Sequence, residues 1–279
     1  MNRYKFVDES DDRGKPQHLH TLDGKPLIGT STALKVLSKP LTWWASGLAV
    51  GKMGWVKELK PYDKPKPTKE QIEANKMERL ASAEKALNSL SGLTPEQYLS
   101  ALDKAYRAHA EKLDESAESG TNMHEELEKY VKSCEGGIPS FQEPDVKAVK
   151  VFAKWARENI KKFLVSEGHC YSEEMWTGGI LDLLCEDKKG NLVLLDFKSS
   201  KEAYLSQFIQ DAGYAIAIAE NGVLDKDGNV IYKPEKSVDY YGVFPFGAEN
   251  TEPSFHYDTE GVMKGFRAAV VLYKLQNQN

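Results

Sequence analysis

The sequence predicts an α/β fold: a mixed central β-sheet flanked by helices, with a mainly helical N-terminal extension. Three observations carry this. Strand-length apolar runs, Ile180–Cys185 and Leu192–Phe197, flank the polar cluster Asp187-Lys188-Lys189-Gly190-Asn191, the pattern of a β-hairpin. Helical patterns bracket the hairpin, an amphipathic one over Asp145–Leu164 and a largely apolar one over Lys201–Glu220. Residues 68–119 are dominated by Glu, Lys, Ala and Leu, which favour helix. The expected division is residues 1–118 for the extension and 119–279 for the core. At 279 residues and 41% hydrophobic content, the chain can bury a sizeable core.

Residues 1–28 are polar and turn-rich, with Asp23-Gly24 as a hairpin turn. His18 and His20 alternate along a strand. They either line an ordinary strand face or begin a metal site, for which no third ligand lies nearby in sequence. Gly29–Val56 reads as two short helices broken at Lys39-Pro40, with Thr30, Ser31 or Thr32 capping the first. Trp43, Trp44 and Trp55 either pack against the core or form a base-stacking platform. Gly54–Lys69 combines Pro61, Pro65 and Pro67 with Lys57, Lys60, Lys64, Lys66 and Lys69, and reads as a linker or mobile loop. It is either a solvated surface or a guide for a phosphate backbone.

Thr68–Ser119 is helical and interrupted at Ser91–Pro95. There Thr94, Pro95 and Gln97 supply a cap, a first-position proline and a capping-box partner. Gly120–Ser133 is a further helix with His124, Leu127 and Val131 on one face. Gly136–Pro144 is a loop, and the helix Asp145–Leu164 turns Val149, Phe152 and Trp155 inward. Glu167–Trp176 is the first strand of a meander, followed by a bend at Gly178-Gly179. Beyond the hairpin, Ser199 and Ser200 cap the helix Lys201–Glu220, where Gln207, Gln210 and Tyr214 form a polar stripe. Asp225–Asn229 reads as a hairpin turn, because its glycine is misplaced for a calcium loop and position twelve is Lys236. Strands around Val238–Phe246 and Ser254–Tyr257 and a helix over Thr259–Leu275 close the chain.

The chemistry concentrates in the hairpin. Centring it on Lys189 pairs Glu186 with Leu192, Leu184 with Leu194 and Asp182 with Asp196, and alternation places Asp182, Asp196 and Lys198 on one face. Opposed residues have Cβ atoms roughly 4.5–5.5 Å apart, where like charges repel. The apolar neighbours offer little screening, so a divalent cation shared by both carboxylates is the simplest offset. A lysine beside such a centre can hold an attacking water and stabilise charge on a phosphate.

Asp182 followed by Asp196-Phe197-Lys198 resembles the PD-(D/E)XK nuclease signature. Gly120-Thr121-Asn122-Met123-His124-Glu125 is similar to the histidine motif of the RecB-like exonuclease branch, and Gln210 to Tyr214 to its Q-x-x-x-Y motif. The matched stretch, His124 to Tyr214, is about a third of the chain. The resemblance implies a restriction-endonuclease-like core and metal-dependent hydrolysis of DNA by an exonuclease of phage type, used in recombination or repair. It implies catalytic roles for Asp182, Asp196 and Lys198. The metal ligands would be His124, Asp182, Asp196, the Phe197 carbonyl and one of Glu173 and Glu174 before the bend, Glu174 preferred by strand parity. Contact with the DNA backbone falls to Ser199, Ser200, Gln207, Gln210 and Tyr214; for the last two, support of the metal ligands is the alternative. Mg2+ or Mn2+ is the expected cofactor, with one imidazole favouring Mn2+. Some relatives carry an iron–sulfur cluster on four cysteines, and Cys134, Cys170 and Cys185, without a C-x-x-C pair, do not provide one.

A formal net charge of −5 excludes a generally basic nucleic-acid coat but not a nuclease with a local positive groove. No apolar run approaches a membrane span, so the expected location is the cytoplasm, that of the host for a phage protein. DNA ends or single strands are the expected partner, with a recombination or single-strand-binding protein alongside. The rivals are a structure-specific or restriction-like endonuclease and a non-catalytic DNA-binding module on the same scaffold.

Overall fold

A computed structural model describes residues 2–10, 16–38, 42–141, 144–247 and 252–277. The strands are β1 (Tyr4–Ser10), β2 (Pro16–Leu22), β3 (Lys25–Pro26), β4 (Ile28–Gly29), β5 (Ile160–Ser172), β6 (Thr177–Asp187), β7 (Leu192–Lys198), β8 (Val223–Leu224), β9 (Val230–Tyr232), β10 (Tyr240–Pro245) and β11 (Ser254–His256). The helices are α1 (Thr30–Ala33), α2 (Thr42–Lys52), α3 (Lys69–Leu90), α4 (Pro95–Ser133), α5 (Lys147–Asn159), α6 (Leu205–Asn221) and α7 (Thr259–Gln276).

The fold is the expected mixed α/β one. An eight-stranded sheet runs β11-β10-β7-β6-β5-β8-β9, with β4 beside β6. The meander β5–β6–β7 is antiparallel, β10 returns parallel to β7 after the α6 crossover, and β4 lies parallel to β6. The central hairpin has the register read from the sequence, Glu186 opposite Leu192 and Leu184 opposite Leu194. Its loop is closed by Asp187, whose carboxylate accepts from the Lys189 and Asn191 amides, both at 2.8 Å, while Gly190 takes φ +84°.

Each face of the sheet has its own core. Leu184, Leu192 and Leu194 pack with Phe208, Ala212, Ala215 and Ile216 of α6 and Phe266 of α7. On the other face Leu183, Cys185, Val193 and Leu195 meet Leu127 and Val131 of α4 and Val149 and Phe152 of α5. Phe152 is fully buried and Trp155 packs at the margin of that core, as the amphipathic pattern requires. All three cysteines are buried free thiols.

Several expectations are corrected. The chain forms two compact units, residues 1–38 with 119–279, and residues 39–118, so the first 38 residues belong with the sheet and not with the helical extension. The cause is non-local pairing: Ile28 and Gly29 add to β6 at Thr177 and Gly178. Gly178 and Gly179 are accordingly strand, not bend. A Cβ at Gly179 would stand 2.6 Å from the Tyr214 ring, so close helix–strand approach explains the glycine there. The strand expected from Glu167 starts seven residues earlier, at Ile160, following α5 without a loop. Thr30 is not a cap; its hydroxyl donates to the Gly178 carbonyl at 3.1 Å. Gly120–Ser133 is the end of the single 39-residue helix α4. The break expected at Lys39-Pro40 lies outside the described residues. Asp23 and Gly24 both have positive φ, +50° and +72°, as the expected tight turn between β2 and β3 demands.

Within the helical unit, the Thr94–Gln97 capping box forms as read, with Thr94 N–H donating to Gln97 Oε1 at 2.9 Å. The Pro- and Lys-rich stretch is tied to α3 rather than free along its whole length. Buried Asn75 donates to the Lys57 carbonyl at 3.1 Å and accepts from the Leu59 amide at 2.8 Å. Trp44 and Trp55 keep much of their surface exposed. Among the described residues no helix is long and apolar enough to cross a membrane.

Candidate active site

The site lies where β6 and β7 part. Their pairing stops at Leu183 and Leu195; beyond it β7 continues beside β10 and β6 beside β5. At the fork Asp182 Oδ2 accepts the Phe197 amide at 2.6 Å, so a side chain takes over where the main-chain ladder ends. Asp196 follows on β7 with the parity of Leu194 and Leu192, which packs towards α6, and only 1% of it is exposed. On β5, Ser166 pairs with Leu183 and Gly168 with Leu181, which sets Glu167 opposite Asp182. Three acids thus occupy three adjacent strands. Glu167 has φ +52°, a left-handed conformation that costs a non-glycine residue on the order of 1 kcal/mol.

His124 arrives from α4. Leu127 and Val131, on the same helical face, are buried in the core and fix that face against the sheet. The imidazole stands edge-on to Phe197 and Phe246, with centroids 6.1 and 5.9 Å away, and its Nδ1 is 3.7 Å from Asp182 Oδ2. It also hydrogen-bonds the Phe197 main chain. One ligand atom each from His124, Glu167 and Asp182 lie within 4.8 Å of one another. Asp196 Oδ2 is instead ion-paired to Lys198 Nζ, and otherwise its oxygens accept no hydrogen bond.

Burial dominates the electrostatics. It raises the Asp182 and Asp196 carboxyls, Asp196 to about 7 with the charge of Asp182 adding to the effect and Lys198 opposing it. Glu167 is pushed up to about 8 by burial and by the charges of Asp182, Glu128 and Asp196. His124 is lowered, by burial first and by Lys198 second. Burial works against the Lys198 ammonium, but Asp196, Asp182 and Asp211 outweigh it and hold its pKa above the ordinary range. The cluster is a set of mutually repelling acids around one ammonium, the arrangement a cation relieves. One imidazole with carboxylates suits Mn2+ or Mg2+, and the half-bonded Asp196 has capacity for a further partner.

The structure brings His124, Asp182, Asp196, Lys198 and the Phe197 main chain together, as read. It does not bring Glu174, which is exposed in the turn after β5 and paired with Arg267. The strand ends at Ser172, so the alternation expected to aim Glu174 inward stops before it. Glu167 occupies the place expected for it. Ser199 and Ser200 do not cap α6, which starts at Leu205 behind Tyr204. Ser200 Oγ donates to the Glu202 carbonyl at 2.8 Å and accepts from Gln207 at 3.2 Å, while Gln207 Oε1 accepts from the Tyr204 amide. Gln207 is thereby committed to the helix start. Ser199 is exposed near the site, across from Gly120 of α4.

Gln210 donates to the Tyr214 hydroxyl at 2.7 Å, and Tyr214 is only 5% exposed beneath the acids. A buried phenol cannot meet a strand at the surface, so of its two expected roles Tyr214 has the geometry of support. Asp211, between the two, is fully buried, has no hydrogen-bond partner among the described residues, and is announced by no sequence pattern. His20, unlike a simple strand-face residue, is buried: the Tyr4 hydroxyl lies 2.6 Å from its Nδ1 and 3.1 Å from that of His169. Compared with models of known protein families and with curated proteins, the chain matches none.

Proposed function

We propose that this protein is a divalent-metal-dependent DNA nuclease of the PD-(D/E)XK kind, an exonuclease of the RecB-like branch acting on single-stranded or end-frayed DNA. The observation that carries the reading is the convergence of His124, Glu167, Asp182, Asp196 and Lys198, from one helix and three strands, at the fork between β6 and β7. His124, Glu167 and Asp182 would hold the ion, with Asp196 joining as its carboxylate turns from Lys198 and the Phe197 carbonyl adjacent. A bound Mg2+ or Mn2+ supplies Lewis-acid polarisation of the phosphate and lowers the pKa of water.

The remaining chemistry belongs to the chain. Lys198 is held as an ammonium by its acids, so its Nζ donates: it orients the attacking water and the scissile phosphate rather than removing a proton. Gln210 holds the Tyr214 hydroxyl, and the Tyr214 ring lies against Gly179 of β6, the strand that carries Asp182. Ser199, exposed beside Lys198, would meet the adjoining phosphate. Recombination or repair in a cytoplasm, alongside a recombination or single-strand-binding protein, goes with this reading.

Labelled linear and covalently closed circular DNA, each with and without Mn2+, form the test. Wild type should degrade the linear substrate in a Mn2+-dependent way and spare the circle, and Asp196→Ala and Lys198→Ala should each lose cleavage. Nicking of the circle would move the reading to an endonuclease. Binding without cleavage would make it a non-catalytic module. Undiminished cleavage by both variants would remove the site assignment.

A further inference from the structure

Asp211 sits on α6 among Phe208, Ala212 and Ala215, in a helix otherwise given to apolar packing. It is 0% exposed, and among the described residues neither carboxylate oxygen has a hydrogen-bond partner. An alanine or leucine would serve that position better if packing were all it did, since burial and the Asp196 charge weigh against an ionised carboxyl there and hold its pKa well above the ordinary range. Its electrostatic neighbours are Asp196, Lys198 and Asp182, and it in turn acts on the Tyr241 hydroxyl, which is also buried and unpartnered among the described residues.

Among the described residues Lys198 has one close anion, Asp196 Oδ2. A cation held by Asp182 and Asp196 must claim that same carboxylate, and the ammonium then needs another counter-ion inside the protein. We infer that Asp211 is that counter-ion: a positioning residue that receives the Lys198 ammonium when a divalent cation takes Asp196. The inference rests on the nuclease reading for the cation. Exchange between two fixed carboxylates keeps the ammonium beside the metal in both states, where a lysine freed of its partner would swing into solvent and lose its aim.

Calorimetric titration with Mn2+ of wild type, Asp211→Asn, Lys198→Met and the double variant tests it, and needs no turnover. Asp211→Asn should weaken Mn2+ binding about 10- to 100-fold, the usual effect of losing a group that orients a ligand shell. In the Lys198→Met background, where no ammonium is displaced, the same substitution should change affinity by less than about threefold. Thermal unfolding in EDTA checks the fold, and Asp211→Asn should match or exceed wild type because an uncompensated acid is gone. An unfolded Asp211→Asn with an equally unfolded Asp211→Ser would make the residue structural and overturn the inference. Equal losses in both backgrounds, or none in either, would overturn it and leave the nuclease reading standing. A wild-type chain that takes up no Mn2+ would remove both.

Discussion

Replacing Glu167 by glutamine separates the cost of the acid cluster from its use. Burial and three neighbouring acids raise the Glu167 carboxyl from 4.5 to about 8. The folded state therefore keeps a proton that the unfolded chain releases above pH 4.5. Stability contributed by the group is present below pH 4.5, declines as pH rises towards 8 and stays lost above it. At roughly 1.4 kcal/mol per pH unit, the interval amounts to about 5 kcal/mol as a ceiling, and solvent reaching this half-buried side chain should reduce it to about 2–4 kcal/mol. Glutamine cannot ionise and escapes the loss. In EDTA, Glu167→Gln should match wild type at pH 4.5 and be about 2–4 kcal/mol more stable at pH 9, read as a shift in urea midpoint at constant slope. With saturating Mn2+ the order should invert, because the ion stabilises only a chain that can bind it. Equal midpoints at pH 9 in EDTA, or equal stabilisation of both proteins by Mn2+, would refute the reasoning.

Three further outcomes follow from packing and capping. Gly213→Ala in the middle of α6 should gain up to about 1 kcal/mol by helix propensity, yet its Cβ would stand 2.5 Å from Phe266 and 2.8 Å from Thr30. Overpacking should win by about 1–3 kcal/mol of destabilisation in urea, and a more stable variant would contradict the packing described. Burial lowers the His20 pKa to about 4, so stability held above pH 6.5 should fall as pH drops towards 4, by at most about 3 kcal/mol. His20→Gln should flatten that acid slope, although His169, lowered for the same reason, keeps part of it; an unchanged slope would exclude His20 as its source. Thr94→Ala removes one half of a capping box and should cost about 1 kcal/mol, seen as faster amide exchange in the first turn of α4.

What the sequence made legible was local. Strand alternation and a short polar loop set the hairpin register from Glu186–Leu192 to Leu183–Leu195, and the structure has it. The expected Asp182–Asp196 pair is not formed, because the strands part there and Asp182 takes the Phe197 amide instead. The Thr94–Gln97 box and the Asp23-Gly24 turn are set by residues within four positions of each other. What stayed hidden depends on pairing between distant segments. Glu167 opposes Asp182 only through the β5–β6 register, which contains irregularities near Phe163, and its inward aim uses a left-handed backbone that no pattern announces. Ile28-Gly29 adds to β6 across about 150 residues of chain, a distance at which no periodicity speaks. Asp211 is hidden from a polar-stripe reading because Gln207, Gln210 and Tyr214 mark one inward face, whereas α6 is buried on most of its circumference.

The clasp from Asp182 Oδ2 to the Phe197 amide has a practical corollary for anyone dissecting this centre. Truncating Asp182 unfastens the seam from which Asp196 and Lys198 hang, so an inert Asp182→Ala variant would report a frayed strand as readily as a missing ligand. Asparagine, which retains an oxygen to accept that amide, is the substitution that silences the charge while leaving the stitching intact.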